Sequence, residues 1–206
     1  PPPPPAPPPW RQAAGDRASR SPDAAAPAPR PLTAELAERC GRLLRECLDR
    51  KLLADACRPH GDSVMKMMQW RGDAVLGVLA REQVCAQSPD GDMGTRARWA
   101  QLSVGNASLC DLFVAARLGD LEVWRRLHGK ERADRMEAII FTLAQATGDR
   151  SMYRNDVELL RRTLDSILEA LVLIGRSKLT SFAAHPSQTK QSIREWLKSF
   201  QVDMSD

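Results

Sequence analysis

The sequence predicts an all-α protein with an extended N-terminal arm, and three observations carry that prediction. From Leu32 onward the apolar residues recur at the i, i+3, i+4 spacing of helices. No segment shows the period-2 alternation of a half-buried strand, and no internal repeat is present. Twelve of the 15 prolines precede Leu32, so the helical remainder is nearly free of the residue that breaks helices. With 206 residues, the chain has room for one domain of ordinary size plus an arm.

Residues 1–31 combine Pro, Ala, Arg and Ser with a single aromatic, Trp10, and offer too little apolar side chain to form a core. Arg11, Arg17, Arg20 and Arg30 outnumber Asp16 and Asp23, which places half of the formal charge of +4 on this segment. It is expected to be extended or disordered by itself, as a Pro-rich linker would be. The chain starts at Pro1 rather than Met, and its Arg-, Ser- and Ala-rich, acid-poor opening is compatible with the remnant of an organelle-imported precursor. Residues 32–175 form the predicted helical domain, and 176–206 a helical tail.

Thr33 is the predicted N-cap of a first helix carrying Leu36, Cys40, Leu43, Leu44, Cys47 and Leu48, broken at Asp49-Arg50-Lys51 before a short segment through Cys57. Pro59 to Asp62 is a turn. Ser63 is expected to cap a long helix reaching about Ala86, apolar nearly all round through Val64, Met65, Met67, Met68, Trp70, Val75, Leu76, Val78 and Leu79, as a central helix would be. Gly72 and Gly77 weaken it, which points to close approach of a neighbour at both. Further helical stretches are predicted over 95–118, 122–128, 132–146 and 155–174, the last closed by Gly175, and then over 187–200.

No apolar run approaches the ~18 residues of a membrane span, so no membrane partner is expected. The five cysteines (Cys40, Cys47, Cys57, Cys85, Cys110) include no CxxC pair and are odd in number, which argues against a zinc ribbon or a disulfide framework and for a reducing compartment. Asn106-Ala107-Ser108 and Arg71-Gly72-Asp73 match a glycosylation acceptor and an adhesion tripeptide. Both lie inside helical patterns and are read as coincidences. The Met residues at 65, 67 and 68 are expected to fill core or interface gaps, and His60, His128 and His185 to be exposed rather than ligating.

Two clusters stand out as candidate chemistry. In Lys66 to Leu76, helical spacing places Lys66, Gln69 or Trp70, and Asp73 on one face; in Ala133 to Ala138, Asp134 and Glu137 share a face at i, i+3. Two helices could present Asp73, Asp134 and Glu137 to each other. Converging carboxylates repel, and a divalent cation or a cationic side chain between them would relieve the repulsion. The plainer alternative is three surface acids paired with Arg71, Arg132 or Arg135.

These clusters resemble the ribonuclease III family. Trp70-Arg71-Gly72-Asp73-Ala74-Val75-Leu76 stands where that family's E-x-x-E-F-L-G-D-A-V-L motif has F-L-G-D-A-V-L. Ala133, Asp134, Glu137 and Ala138 match its A-D-x-x-E-A. Between them, Val104-Gly105-Asn106-Ala107-Ser108-Leu109 and Leu118-Gly119 are similar to its V-S-N-x-x-L and L-G, and Leu52-Leu53-Ala54-Asp55-Ala56 is similar to its L-L-x-x-A. The resemblance covers about residues 50–172 and implies an all-helical endonuclease-domain fold that dimerises, with Trp70 in the position of an interface Phe.

It also implies a site. Active members hold Mg²⁺ with four acidic residues and cleave double-stranded RNA with a metal-activated water. Asp73 and Glu137 would be the catalytic pair, with Asp73, Asp134 and Glu137 as metal ligands. Gln69 stands at the fourth position, and Lys66 where a further acid is usual. Both departures remove negative charge that Mg²⁺ relies on, so the site is expected to be vestigial and without cofactor, with the Lys66 ammonium as counterion. The implied role is that of the RNase III-like proteins of the mitochondrial large ribosomal subunit, located in the matrix. Its partners would be structured or double-stranded RNA such as rRNA, a second RNase III-like chain and neighbouring ribosomal proteins. A Mg²⁺-dependent endoribonuclease and an inactive partner in an RNA-processing complex are the alternatives.

Overall fold

A computed structural model describes residues 34–147 and 152–184. The arm with Arg11, Arg17, Arg20 and Arg30, the Thr33 cap and the 187–200 helix lie outside the described residues. Among the described residues there are six α-helices and no strand. None of the helices is long and apolar enough to cross a membrane.

Helix α1 (Ala34–Asp49) buries Leu36, Cys40, Leu43, Leu44 and Cys47 along one stripe. Gly41 sits on that stripe because α1 crosses the end of a later helix there: a Cβ at 41 would lie 2.4 Å from the Ala116 carbonyl oxygen. The helix stops with Lys51 in the left-handed conformation (φ 59°), and the Leu52 amide reaches back to the Cys47 carbonyl at 2.9 Å. This is the six-to-one closure usually built on glycine. A single 3₁₀ turn follows at Asp55–Cys57.

Helix α2 (Ser63–Gln87) is capped one residue earlier than expected, by Asp62, whose carboxylate accepts from the Val64 and Met65 amides at 2.8 and 3.3 Å. It buries Met65, Met68, Gly72, Leu76, Ala80 and Val84. That is one stripe and not the whole circumference. Met67, Trp70 and Val78 remain exposed, because α2 is covered on one side only. Of the two glycines, Gly72 serves close approach and Gly77 does not: nothing lies within 4 Å of a Cβ placed at 77.

The predicted stretch over 95–118 is two helices. Helix α3 (Met93–Val104) starts on an Asp92 cap, and α4 (Asn106–Ala115) follows after Gly105, whose extended backbone (φ −65°, ψ 148°) ends one helix and begins the other. The Ser108 hydroxyl donates to the Leu102 carbonyl at 2.6 Å across the break. Residues 122–128 do not form the expected helix. Leu118, Leu121, Trp124 and Leu127 point inward at every third residue, joined by successive i to i+3 hydrogen bonds of 3.2, 2.9 and 3.1 Å. A spacing of three suits turns of 3₁₀ type better than the 3.6 of an α-helix. Trp124 is fully buried against Phe113.

Helix α5 (Lys130–Ala146) packs most extensively on α2, and α6 (Arg154–Ala184) touches all five other helices. Gly175 does not close α6. It lets the helix cross α3, where a Cβ would lie 2.1 Å from Ser103 Oγ, and the helix continues for nine residues beyond it. The main core gathers residues such as Leu44, Leu109, Phe113, Met136, Ile139, Ile140, Leu160 and Leu171. A smaller cluster of Val84, Trp99, Ala100 and Val172 sits where α2, α3 and α6 meet.

Candidate functional site

The contact at Gly72 builds the site. A Cβ there would lie 2.0 Å from the Glu137 carbonyl oxygen, so only glycine lets α2 and α5 come this close. Beside that crossing a cleft of about 330 Å³ opens. It is lined by Lys66, Gln69, Trp70 and Asp73 from α2, Lys130, Asp134 and Glu137 from α5, and Asn106 from the start of α4. Asp73, Asp134, Glu137, Gln69, Lys66 and Trp70, all singled out from the sequence, therefore share one cleft.

Their surroundings differ. Asp73 is exposed, whereas Asp134 and Glu137 are 4% and 7% exposed. Asp134 Oδ2 accepts from His60 Nε2 at 3.0 Å. Its Oδ1 is buried without a hydrogen bond, and the nearest cation, Lys130 Nζ, is 3.8 Å away. His60 also lies 3.9 Å from Glu131. Burial, then the nearby charges of Asp73 and Asp134, push the Glu137 carboxyl up from its ordinary 4.5 to about 7, with Lys130 opposing. Near neutral pH this group is thus divided between its charged and neutral forms.

The three arginines do not pair with these acids. Arg71 lies over the Phe141 ring at 5.9 Å and Arg132 over Phe113 at 5.6 Å. Arg135, 2% exposed, points away from the cleft and donates to the carbonyls of Ala56 and Arg58. Lys66, expected as the counterion, forms no ion pair among the described residues; Lys130 and His60 approach Asp134 instead. Trp70 is 75% exposed, which leaves it open to a partner rather than packed in the core. Met65 and Met68 are core residues, and Met67 is on the surface.

Lys130, His60 and Asn106 were missed as site residues. Lys130 could have been found, since it stands four residues before Asp134 on the same helix face. His60 could not: it reaches Asp134 through the turn that precedes α2, where Gly61 takes φ 112°.

Mg²⁺ does not fit the residues as placed. Among the described residues no three His, Cys, Asp or Glu side chains converge closely enough to hold a metal ion. Both oxygens of Asp134 face a nitrogen, from His60 and from Lys130, while Gln69 and Lys66 withhold two of the charges a hard cation draws on. What the cleft offers is a set of carboxylate acceptors beside an exposed indole, with two lysines at the rim.

Compared with known proteins, the chain matches no family model and no curated protein.

Proposed function

We propose that the chain is a non-catalytic member of the ribonuclease III type, acting as a structural, RNA-associated subunit of a mitochondrial ribonucleoprotein, in the first place the large ribosomal subunit. The observation that carries the reading is the cleft itself. Two sequence motifs about sixty positions apart, each similar to a ribonuclease III signature, supply all three of its acids, and the most buried of them, Asp134, is faced by His60 and Lys130. A carboxylate already faced by an imidazole and an ammonium, with Gln69 and Lys66 where acids are expected, is a poor ligand for the ion that would activate water.

RNA association can outlast the loss of cleavage, because double-stranded RNA is recognised through shape, phosphates and 2′-hydroxyls. The basic arm supports such contact through Arg11, Arg17, Arg20 and Arg30. The exposed Met67, Trp70 and Val78 of α2 support pairing with a second chain, since large apolar side chains left in water on one helix are candidates for burial by a partner.

Two experiments test the reading. Purified protein incubated with double-stranded RNA and Mg²⁺ or Mn²⁺ is expected to leave the RNA intact; metal-dependent cleavage abolished by Asp73→Asn would establish the endoribonuclease instead. Native protein is expected to sediment with large-subunit rRNA. Sedimentation with a smaller RNA-processing complex would replace the ribosomal assignment.

A further inference from the structure

The cleft has more acceptors than its own protein satisfies. Asp134 Oδ1 is buried without a hydrogen bond, Glu137 is 7% exposed and has no hydrogen-bond partner among the described residues, and Asp73 faces them from α2. Lys130 stops 3.8 Å short of Asp134, beyond hydrogen-bond reach. A buried acceptor left without a donor keeps the full cost of its lost hydration, more when charged, so the arrangement calls for a donor from outside.

The chemistry of that donor is narrow. It must bring several N–H groups to neighbouring carboxylates, tolerate removal from water, and lie against an indole. A guanidinium meets all of these demands: it is planar, carries five donors, binds carboxylates bidentately, is weakly hydrated and stacks on aromatic faces. Trp70 stands on the cleft wall and is 75% exposed. Lys66 and Lys130 are exposed as well, so their ammonium groups can swing into water as the guanidinium enters.

What carries the guanidinium follows from the surface beside the cleft. Trp70 belongs also to the outward strip of α2 with Met67 and Val78, 37% and 52% exposed, and the strip has an open notch at Gly77. Apolar side chains of this kind are buried by protein, while phosphates would meet the acids of the cleft. We infer that the partner is a protein that covers the Met67, Trp70 and Val78 strip of α2 and seats an arginine side chain between Asp73, Asp134 and Glu137. The inference rests on the pairing proposed above and specifies what the partner brings to it.

The test uses the full chain and agmatine, a guanidinium on a short alkyl stem without a carboxylate. The indole N–H resonance of Trp70, assigned through Trp70→Phe, is followed during titration. Agmatine, which also bears a terminal ammonium, is expected to shift it saturably and 1,4-diaminobutane, of equal charge but without a guanidinium, much more weakly. Glu137→Gln is expected to weaken the agmatine response by about tenfold or more, with an unchanged circular dichroism spectrum; Asp134→Asn serves as a second variant. No saturable shift, or an equal response to 1,4-diaminobutane, overturns the inference. A response to guanosine monophosphate without one to agmatine overturns it in favour of a nucleobase, and an equal response to MgCl₂ alone overturns it in favour of a metal. A chain that sediments with rRNA yet ignores agmatine loses this inference alone. One that binds agmatine but joins no ribonucleoprotein keeps it and loses the ribosomal assignment.

Discussion

Gly72 and Gly77 lie on the same helix, five residues apart, and replacing each by alanine should move stability in opposite directions. At Gly72 the new Cβ would lie 2.0 Å from the Glu137 carbonyl oxygen and 2.5 Å from its carbon, against the 3.4 Å at which ordinary contact begins. The obstacle is backbone, so α2 and α5 must separate by roughly 1.4 Å, and a gap of even 0.5–1 Å forfeits about a quarter to a half of each dispersion contact across it. Overpacking of this kind costs about 3 kcal/mol at a rigid site. Alanine returns about 1 kcal/mol in helix propensity, leaving a net loss of about 2 kcal/mol. At Gly77 nothing lies within 4 Å, and only the propensity gain of about 1 kcal/mol remains. Urea unfolding followed by far-ultraviolet circular dichroism reads both. With a slope of about 2 kcal/mol per molar, the midpoint should fall by about 1 M for Gly72→Ala and rise by about half that for Gly77→Ala. A Gly72→Ala midpoint at or above wild type would refute the close crossing on which the cleft depends.

Three further outcomes follow from the same packing. Because the folded state holds the Glu137 proton up to about pH 7 against an ordinary 4.5, stability should be fullest below that ordinary value. It should then decline as pH rises across the window, by no more than about 1.4 kcal/mol per pH unit, and Glu137→Gln should flatten the decline. Urea midpoints at a series of pH values check this, and parallel wild-type and variant profiles would count against it. Arg135→Met should uncover the Ala56 and Arg58 carbonyls, a loss of about 1–3 kcal/mol, seen as faster amide exchange over residues 52–62; unchanged exchange there would show that the guanidinium does not hold that turn. Burial pushes the Cys40 thiol up to about 12, and its Sγ donates to the Ser166 carbonyl. A thiol reagent at mildly alkaline pH should therefore label exposed Cys85 in the native protein and reach Cys40 only on unfolding; equal labelling rates would contradict the packing of α1 on α6.

The parts of the fold legible in the sequence are those set by local periodicity. The Leu36 to Cys47 stripe and the apolar run of α5 announce their helices without help from elsewhere. Asp62 displaced Ser63 as the cap of α2 because its carboxylate reaches two amides at once, a distinction between adjacent good capping residues that spacing cannot make. Gly175 reads as a stop and acts as a crossing point, since its meaning depends on Ser103 of another helix. Trp124 and Leu127 fall in the helix expected over 122–128, yet with Leu118 and Leu121 they recur every third residue, a spacing visible in the sequence and closer to 3₁₀ turns. In the site, residues within the two motifs converge as their spacing requires. The groups that tune them, His60 above all, arrive through a turn whose geometry no periodicity records.

The reach of α6 bears on how the protein is made. It touches each of the other five described helices and comes last among them in the chain, so during synthesis the segments already emerged lack the one wall that they all share. The α2 and α5 crossing can form early, but α1, which packs mainly on α6, and Trp99 of α3, which packs on Val172, wait for that wall until α6 has left the exit tunnel. Over that interval the nascent chain exposes apolar faces that α6 is still to cover, and chain ends that cut into α6 should be the ones that require chaperones or aggregate.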